Sequence, residues 1–162
     1  MNLDQILPNI FLGSCPMSSS DIERLKSDFG ITAVLNVQTD EDMAYWETAW
    51  ADLAAAYQEA GIECRRVPVR DFQPGDLCRR LPDCVKALDD LLRSGHAVYV
   101  HCSAGMNRSP STVVAYLHWV GGMTLDEAAD VVMQRRFCDP YLDAIRQATV
   151  NWVAAGGSGQ PQ

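Results

Sequence analysis

A cysteine and an arginine stand six residues apart in the stretch VHCSAGMNRSP, residues 100–110. Cys102 supplies a thiol and Arg108 a guanidinium, with small residues between them. The apolar run before the stretch and the Ser109-Pro110 pair at its end predict a buried strand, a loop and a helix that starts near residue 109. In such a unit the backbone N–H groups of the loop and the helix N-terminus together attract an anion.

These residues predict thiol chemistry on a phosphoryl group. The positive potential should lower the pKa of Cys102 below its ordinary value of about 8.5, so that a thiolate attacks at neutral pH. The planar fork of Arg108 suits two phosphoryl oxygens, which lysine cannot match. Ser109 is expected to donate to the sulfur as it leaves, and His101 to orient the loop, with a purely structural role as its alternative. The loop residues expected to bind substrate are Ser103, Ala104, Gly105, Met106 and Asn107.

The Cys102–x5–Arg108–Ser109 spacing resembles the cysteine-dependent phosphatases. The resemblance implies a phospho-cysteine intermediate and, in the dual-specificity branch, an acidic residue roughly 30 positions upstream that protonates the leaving oxygen. Asp71 and Asp76, in VRDFQPGDL, are the candidates. Asp71 directly follows a predicted strand and is favoured, whereas Asp76 is typical of a helix N-cap. After transfer Asp71 would activate water, and no metal or other cofactor is required.

Strands and helices alternate along the chain and predict an α/β fold: a central mixed, mostly parallel sheet with helices on both faces. The predicted strands are 9–14, 31–37, 62–69 and 97–101. The predicted helices are one opened by a Ser20–Glu23 capping box, then 42–60, 76–93, 109–120, 124–136 and 140–152. We expect one catalytic domain over residues 1–155 and a flexible Gly-rich tail over 156–162.

The composition excludes several classes of protein. Of 162 residues 48% are hydrophobic and 21% charged, and no apolar run is long enough to span a membrane. The net charge of −8 without a basic stripe argues against nucleic-acid binding. Six cysteines without a CxxC pair indicate neither a zinc site nor a disulfide scaffold. We expect a monomer in the cytoplasm, with a plastid form trimmed after import as the alternative.

Further segments resemble the glucan phosphatases, the plant starch-excess enzymes and their functional relative laforin, from about residue 9 to 152. These segments are LGSCPMSSSDIERL, QTDEDMAYW, VRDFQPGDLCRRLPDCV, AYLHWVGG and CDPYLDAIRQATVNW. The resemblance implies a stand-alone catalytic domain and phosphorylated starch or glycogen as substrate, held by aromatic side chains beside the active site. On this basis Tyr45, Trp46 and Phe72 are expected to stack on sugar rings. For Trp46 and Phe72 the alternative is packing in the core.

Three residues depart from the pattern of that family. Asn107 replaces the second glycine of the loop. Asparagine tolerates left-handed backbone better than most residues, so the loop is still expected to bind an anion. Its side chain is expected either to contact substrate or to narrow the pocket. Asp139 replaces an aromatic residue, which weakens the glucan channel. Asn36 replaces the cysteine that forms a regulatory disulfide in plant relatives, so that disulfide is expected to be absent. A protein phosphatase acting on phosphotyrosine and phosphoserine or phosphothreonine is therefore the alternative function, and a non-catalytic phosphate-binding module is a third.

Overall fold

The computed structural model describes residues 1–156, and a five-stranded sheet forms its centre. The strands are β1 Leu3–Leu7, β2 Ile10–Gly13, β3 Ala33–Asn36, β4 Glu63–Arg66 and β5 Val98–His101. Their spatial order is β1-β2-β5-β3-β4. Only β1 runs antiparallel to its neighbour, and the other pairs are parallel. The sheet is therefore mixed and mostly parallel, as predicted.

Helices cover both faces of this sheet. They are α1 Ser19–Ser27, α2 Asp40–Tyr45, α3 Trp50–Glu59, α4 Pro74–Arg93, α5 Arg108–Trp119, α6 Leu125–Met133 and α7 Leu142–Ala154. Alternate strand residues point to opposite faces. Val34 and Tyr99 pack with side chains of α1 and α3, whereas Leu35 and Val100 pack with those of α4 and α5. The predicted fold class is confirmed.

The strand β1 and the split of one predicted helix were not predicted. β1 has the mixed sequence LDQIL and owes its conformation to pairing with β2. The helix predicted over 42–60 is two helices, because Glu47 between them has a φ of 55°, a left-handed conformation that no α-helix continues through.

Two predicted helix caps were wrong. Ser18, rather than Ser20, caps α1 by accepting from the Asp21 N–H. α4 begins at Pro74 with Gln73 at its N-cap, so Asp76 lies in the first turn and is not the cap. A proline is tolerated there because first-turn N–H groups lack helical partners, and this allows the helix to start two residues earlier than the cap pattern indicated.

No helix within residues 1–156 is long and apolar enough to cross a membrane. The tail predicted over 156–162 lies, apart from Gly156, outside the described residues.

Candidate active site

The loop that joins β5 to α5, called the cysteine loop here (residues 102–108), lies at the carboxyl end of the central strand. Its tight turn depends on Gly105, which has a φ of +68°. A Cβ at this position would lie 2.4 Å from the carbonyl of Gly13, so a larger residue would displace the loop from the end of β2. Ligands of parallel sheets bind at this carboxyl edge.

The Cys102 side chain is 3% exposed and two hydrogen-bond donors point at its sulfur. The Gly105 N–H and the Ser109 hydroxyl each lie 3.2 Å from Cys102 Sγ. Donors of this kind stabilise a sulfur anion. The structure thus brings Ser109 to the position expected of a residue that assists a leaving thiolate.

Several other donors around the loop have no acceptor in the part of the chain that the structure describes. The backbone N–H groups of residues 103, 104, 106 and 107 make no hydrogen bond within residues 1–156. The Arg108 Nε is buried and likewise unpaired among these residues. The residues that carry these N–H groups are half-buried or exposed, whereas the unpaired Arg108 nitrogen is buried. Unpaired donors of both kinds around one thiol suit an anionic ligand with several oxygens.

Arg108 is 1% exposed and is held by three groups from two parts of the chain, helix α2 and the segment after β4. Its Nη1 donates to Asp42 Oδ2 at 2.6 Å and to the Val69 carbonyl at 2.8 Å. Its Nη2 donates to Asp71 Oδ2 at 2.9 Å. Burial alone would lower the pKa of Arg108, but its hydrogen bond to Asp42 and the neighbouring anions raise the pKa, so the guanidinium is charged.

The sequence analysis did not single out Asp42. Burial opposes ionisation of this carboxyl, yet the hydrogen bonds from Arg108 and from the Thr39 N–H hold its pKa below the ordinary value. Thr39 and Asp42 also form the capping box of α2. The Thr-x-x-Asp spacing was available as a cap signal, but the contact with Arg108 spans 66 positions and no local pattern reveals it.

The two candidate acids lie in different environments. Asp71 contacts Arg108 at the cysteine loop. Asp76 accepts from the Arg70 N–H at 2.8 Å and from Arg79 at 2.9 Å, and it makes no contact with Arg108 or Cys102 within the described chain. The geometry therefore favours Asp71 as the residue that meets a bound phosphate ester.

His101, the last residue of β5, supports the start of the cysteine loop. Its Nδ1 lies 3.0 Å from the Cys102 carbonyl, which can only accept, so Nδ1 carries the proton. Its ring stacks on Tyr99 at 5.5 Å between centroids. Burial lowers the pKa of His101 to about 4, and the imidazole is therefore neutral near pH 7.

Two further residues, unremarked in the sequence analysis, position the loop. The buried Arg136 donates from Nε to the Gly105 carbonyl at 2.8 Å and from Nη2 to the Ala104 carbonyl at 3.2 Å. With these two carbonyls paired to Arg136, the backbone N–H groups of the loop are the groups available to a ligand. Gln38 Nε2 donates to the Ser103 hydroxyl at 3.1 Å.

Asn107 does not use the left-handed conformation that asparagine tolerates. Its φ is −125° and it is the N-cap position of α5. Its side-chain Nδ2 donates to the Asp139 carbonyl at 2.7 Å, while the Asp139 N–H donates to the Met106 carbonyl at 2.8 Å. The Asn107 side chain thus connects the loop to the segment before α7. Only the backbone N–H of Asn107 is then available to a ligand.

Exposed aromatic side chains lie in the three segments whose residues bond to Arg108 or to the cysteine loop. Tyr45 and Trp46 are 78% and 41% exposed and meet edge to face, 5.1 Å between centroids. Phe72 is 81% exposed and has a φ of 54°. Phe137, which was not predicted, is 90% exposed and lies between two residues that bond to the cysteine loop, Arg136 and Asp139. None of the four is a core residue.

No group of three or more His, Cys, Asp or Glu residues within 1–156 is arranged to hold a metal ion. The donors around Cys102 suit an oxyanion.

Residues 10–145 match the family model described as dual specificity phosphatase, catalytic domain. The phosphoglucan phosphatase DSP4 of Castanea sativa is 34% identical over 155 residues, which are 93% of this chain and 40% of that protein. Laforin of Mus musculus is 37% identical over 146 residues, 84% of this chain and 44% of that protein. The chain thus spans less than half the length of these relatives. The crystal structure of PTPMT1 superposes with a TM-score of 0.77 at 22% identity and shares the fold, covering 96% of this chain and 98% of that one.

Proposed function

Since the chain belongs to the dual specificity phosphatase catalytic-domain family, we propose that it hydrolyses phosphate monoesters through a phospho-cysteine intermediate, with phosphorylated glucan as substrate. One observation carries the chemistry. A buried thiol and a buried guanidinium stand at the two ends of a loop whose N–H groups at residues 103, 104, 106 and 107 have no acceptor within residues 1–156. A phosphoryl group supplies both the electrophile for the thiol and the missing acceptors.

In the first proposed step the Cys102 thiolate attacks phosphorus and forms the S–P bond as the bond from phosphorus to the leaving oxygen breaks. The loop N–H groups and Arg108 bind the phosphoryl oxygens, and this charge stabilisation is the main contribution of the site. A phosphoryl oxygen would replace Asp71 on Arg108 Nη2. The released Asp71 carboxylate would then take up a proton from solvent and pass it to the leaving oxygen as the bond from that oxygen to phosphorus breaks.

In the second step Asp71, now a carboxylate, takes a proton from water, and the resulting hydroxide attacks the phosphorus. The S–P bond breaks, phosphate leaves and the thiolate is regenerated. Ser109, 3.2 Å from the sulfur, donates a hydrogen bond to the departing anion. No cofactor takes part in this scheme.

The glucan substrate is supported by the relatives and by the aromatic border. Phosphoglucan phosphatases match over most of this chain. Exposed rings at Tyr45, Trp46, Phe72 and Phe137 can stack on sugar faces, and Phe137 offers a ring in the segment where Asp139 lacks one. The alternative, a dual-specificity protein phosphatase, is favoured by the description of the matching family itself. A monomeric state and a cytoplasmic location remain predictions.

The deciding assay compares phosphate release from phosphorylated amylopectin with release from phosphotyrosine and phosphothreonine peptides. We expect the higher kcat/KM on amylopectin. A clear preference for the peptides would contradict the glucan substrate and support the alternative. Failure to hydrolyse an aryl phosphate as well would contradict phosphatase activity altogether.

A further inference from the structure

A second basic site lies beside the candidate active site, in a cavity of about 410 Å³. Its lining consists of Thr39, Pro68, Arg70, Asp76, Arg79 and Arg80. We propose that this cavity, called the arginine cavity here, binds a second phosphoryl group of the same substrate molecule. The inference rests on the proposed function and adds a preference for multiply phosphorylated glucan.

The cavity and the cysteine loop belong to the same edge of the sheet. Thr39 follows β3 and Arg70 follows β4, while the cysteine loop follows β5. These three strands are parallel neighbours, so their carboxyl ends meet at one edge. The two sites also share connecting residues. Thr39 bonds to Asp42, which holds Arg108, and Arg70 is adjacent in the chain to Asp71.

The charge of the cavity is opposite to that of the whole protein. Three arginines against Asp76 give it a local charge of +2, whereas the chain carries −8. Arg79 pairs with Asp76 at 2.9 Å. The side chains of Arg70 and Arg80 make no hydrogen bond or ion pair to any other described residue. These two guanidiniums line one concavity without a hydrogen-bonded partner among the described residues, so an anion bound between them would be attracted by both charges.

The chemistry of these groups points to phosphate. A guanidinium presents parallel N–H donors that match two oxygens of a phosphoryl group. Asp76 holds two arginines of the lining in place, because its Oδ2 accepts from the Arg70 backbone N–H and its Oδ1 from the Arg79 side chain. The acid Asp71 and the first turn of α4 are therefore held in one rigid unit with the cavity. A second phosphoryl group bound here would draw a phosphoglucan toward the cysteine loop before any covalent step.

The experiment compares maltooligosaccharides that carry one or two phosphate groups, together with p-nitrophenyl phosphate, on wild type and on an Arg70→Ala/Arg80→Ala variant. Arg24→Ala is the matched control, because Arg24 is an exposed arginine on α1. We expect the double substitution to raise KM for the doubly phosphorylated sugar about five- to tenfold, as two exposed charge contacts are lost. The kinetics of the other two substrates, and kcat on all three, should stay within twofold.

Raised salt should remove the same preference from the wild type, because exposed charge contacts are screened. Equal KM changes in the double variant and in Arg24→Ala would overturn the proposal. So would a wild type that shows the same KM for one and two phosphates. If the cavity binds free phosphate instead, the double variant would change inhibition by inorganic phosphate equally with every substrate, which also overturns it.

The proposed function fails in a distinguishable way. A wild type that hydrolyses p-nitrophenyl phosphate but neither sugar contradicts the glucan substrate, and the arginine cavity proposal fails with it. If the wild type hydrolyses both sugars and the double variant keeps the same preference for the doubly phosphorylated one, only the arginine cavity proposal is contradicted.

Discussion

Asp42 is the residue whose removal tests most sharply how Arg108 is held. Its Oδ2 accepts from Arg108 Nη1 at 2.6 Å and from the Thr39 N–H at 2.8 Å. In Asp42→Asn the amide oxygen can occupy the Oδ2 position and still accept from both donors. The amide nitrogen then takes the Oδ1 position, 3.5 Å from Arg108 Nη2. The substitution therefore removes the charge while leaving a cap for α2.

The size of the effect follows from the burial of the pair. Arg108 is 1% exposed and the Asp42 side chain 14%, so solvent screens the pair little. A hydrogen bond to a charged group contributes about 1.5–3 kcal/mol and a neutral one about 0.5–1.5 kcal/mol, so losing the charge while keeping the bond costs about 1–1.5 kcal/mol. Because 1.36 kcal/mol is a factor of ten, we expect kcat/KM to fall about 5- to 10-fold. Inhibition by inorganic phosphate should weaken in parallel.

The assay is steady-state hydrolysis of an aryl phosphate, with thermal unfolding measured to confirm that the variant is folded. Asp40→Asn is the matched control: it removes one carboxylate from the same helix, but Asp40 pairs with Arg66 at 2.8 Å and is 83% exposed. Its kcat/KM should stay within twofold of wild type. A folded Asp42→Asn variant with wild-type kcat/KM, or an equal loss in Asp40→Asn, would refute the assigned role of Asp42.

Three further predictions concern the acid, the aromatic border and the buried histidine. Asp71→Asn should lower kcat on an alkyl phosphate about 10²- to 10⁴-fold. The loss should be smaller on an aryl phosphate, whose leaving group needs no proton. If Asp71→Asn keeps full activity on the alkyl phosphate and Asp76→Asn loses it, the acid is Asp76. Phe72→Gly relieves a left-handed φ, so the thermal stability should be unchanged. It also removes one ring, so KM for phosphoglucan should rise about two- to tenfold. A lower thermal stability, or an equal rise of KM for an aryl phosphate, would count against a stacking role. His101 has a pKa of about 4 in the fold. Because the unfolded chain binds more protons between pH 4 and 6.5, the free energy of unfolding should fall by up to about 3 kcal/mol from pH 6.5 to pH 4. Urea unfolding of wild type and His101→Asn measures this, and identical pH profiles would contradict it.

The sequence predicts the elements whose cause is local. β5 is a wholly apolar run, the small residues after it allow a tight loop, and the Ser109-Pro110 pair marks the start of α5. These features place Cys102 and Arg108 at one loop without any tertiary information. The capping box Thr124–Glu127 likewise predicts the start of α6.

Elements that form because of tertiary contacts cannot be predicted from local sequence patterns. β1 is extended because β2 provides its hydrogen bonds, and its own residues show no strong preference. Glu47 breaks the predicted helix although its residue type gives no such signal. The same holds within the site: Asp42 and Arg136 reach the cysteine loop from 66 and 31 positions away, so only the folded chain shows that they hold it.

In the proposed mechanism Cys102 carries the phosphoryl group during turnover of phosphoglucan. Rapid acid quenching of the enzyme with ³²P-labelled phosphorylated amylopectin, followed by mass spectrometry of the labelled peptide, tests it most directly. We predict a transient phosphoryl group on Cys102, accumulating further in Asp71→Asn with a substrate whose leaving group needs no proton, and neither label nor turnover in Cys102→Ser. Turnover that persists in Cys102→Ser, or label on another residue, would contradict the mechanism.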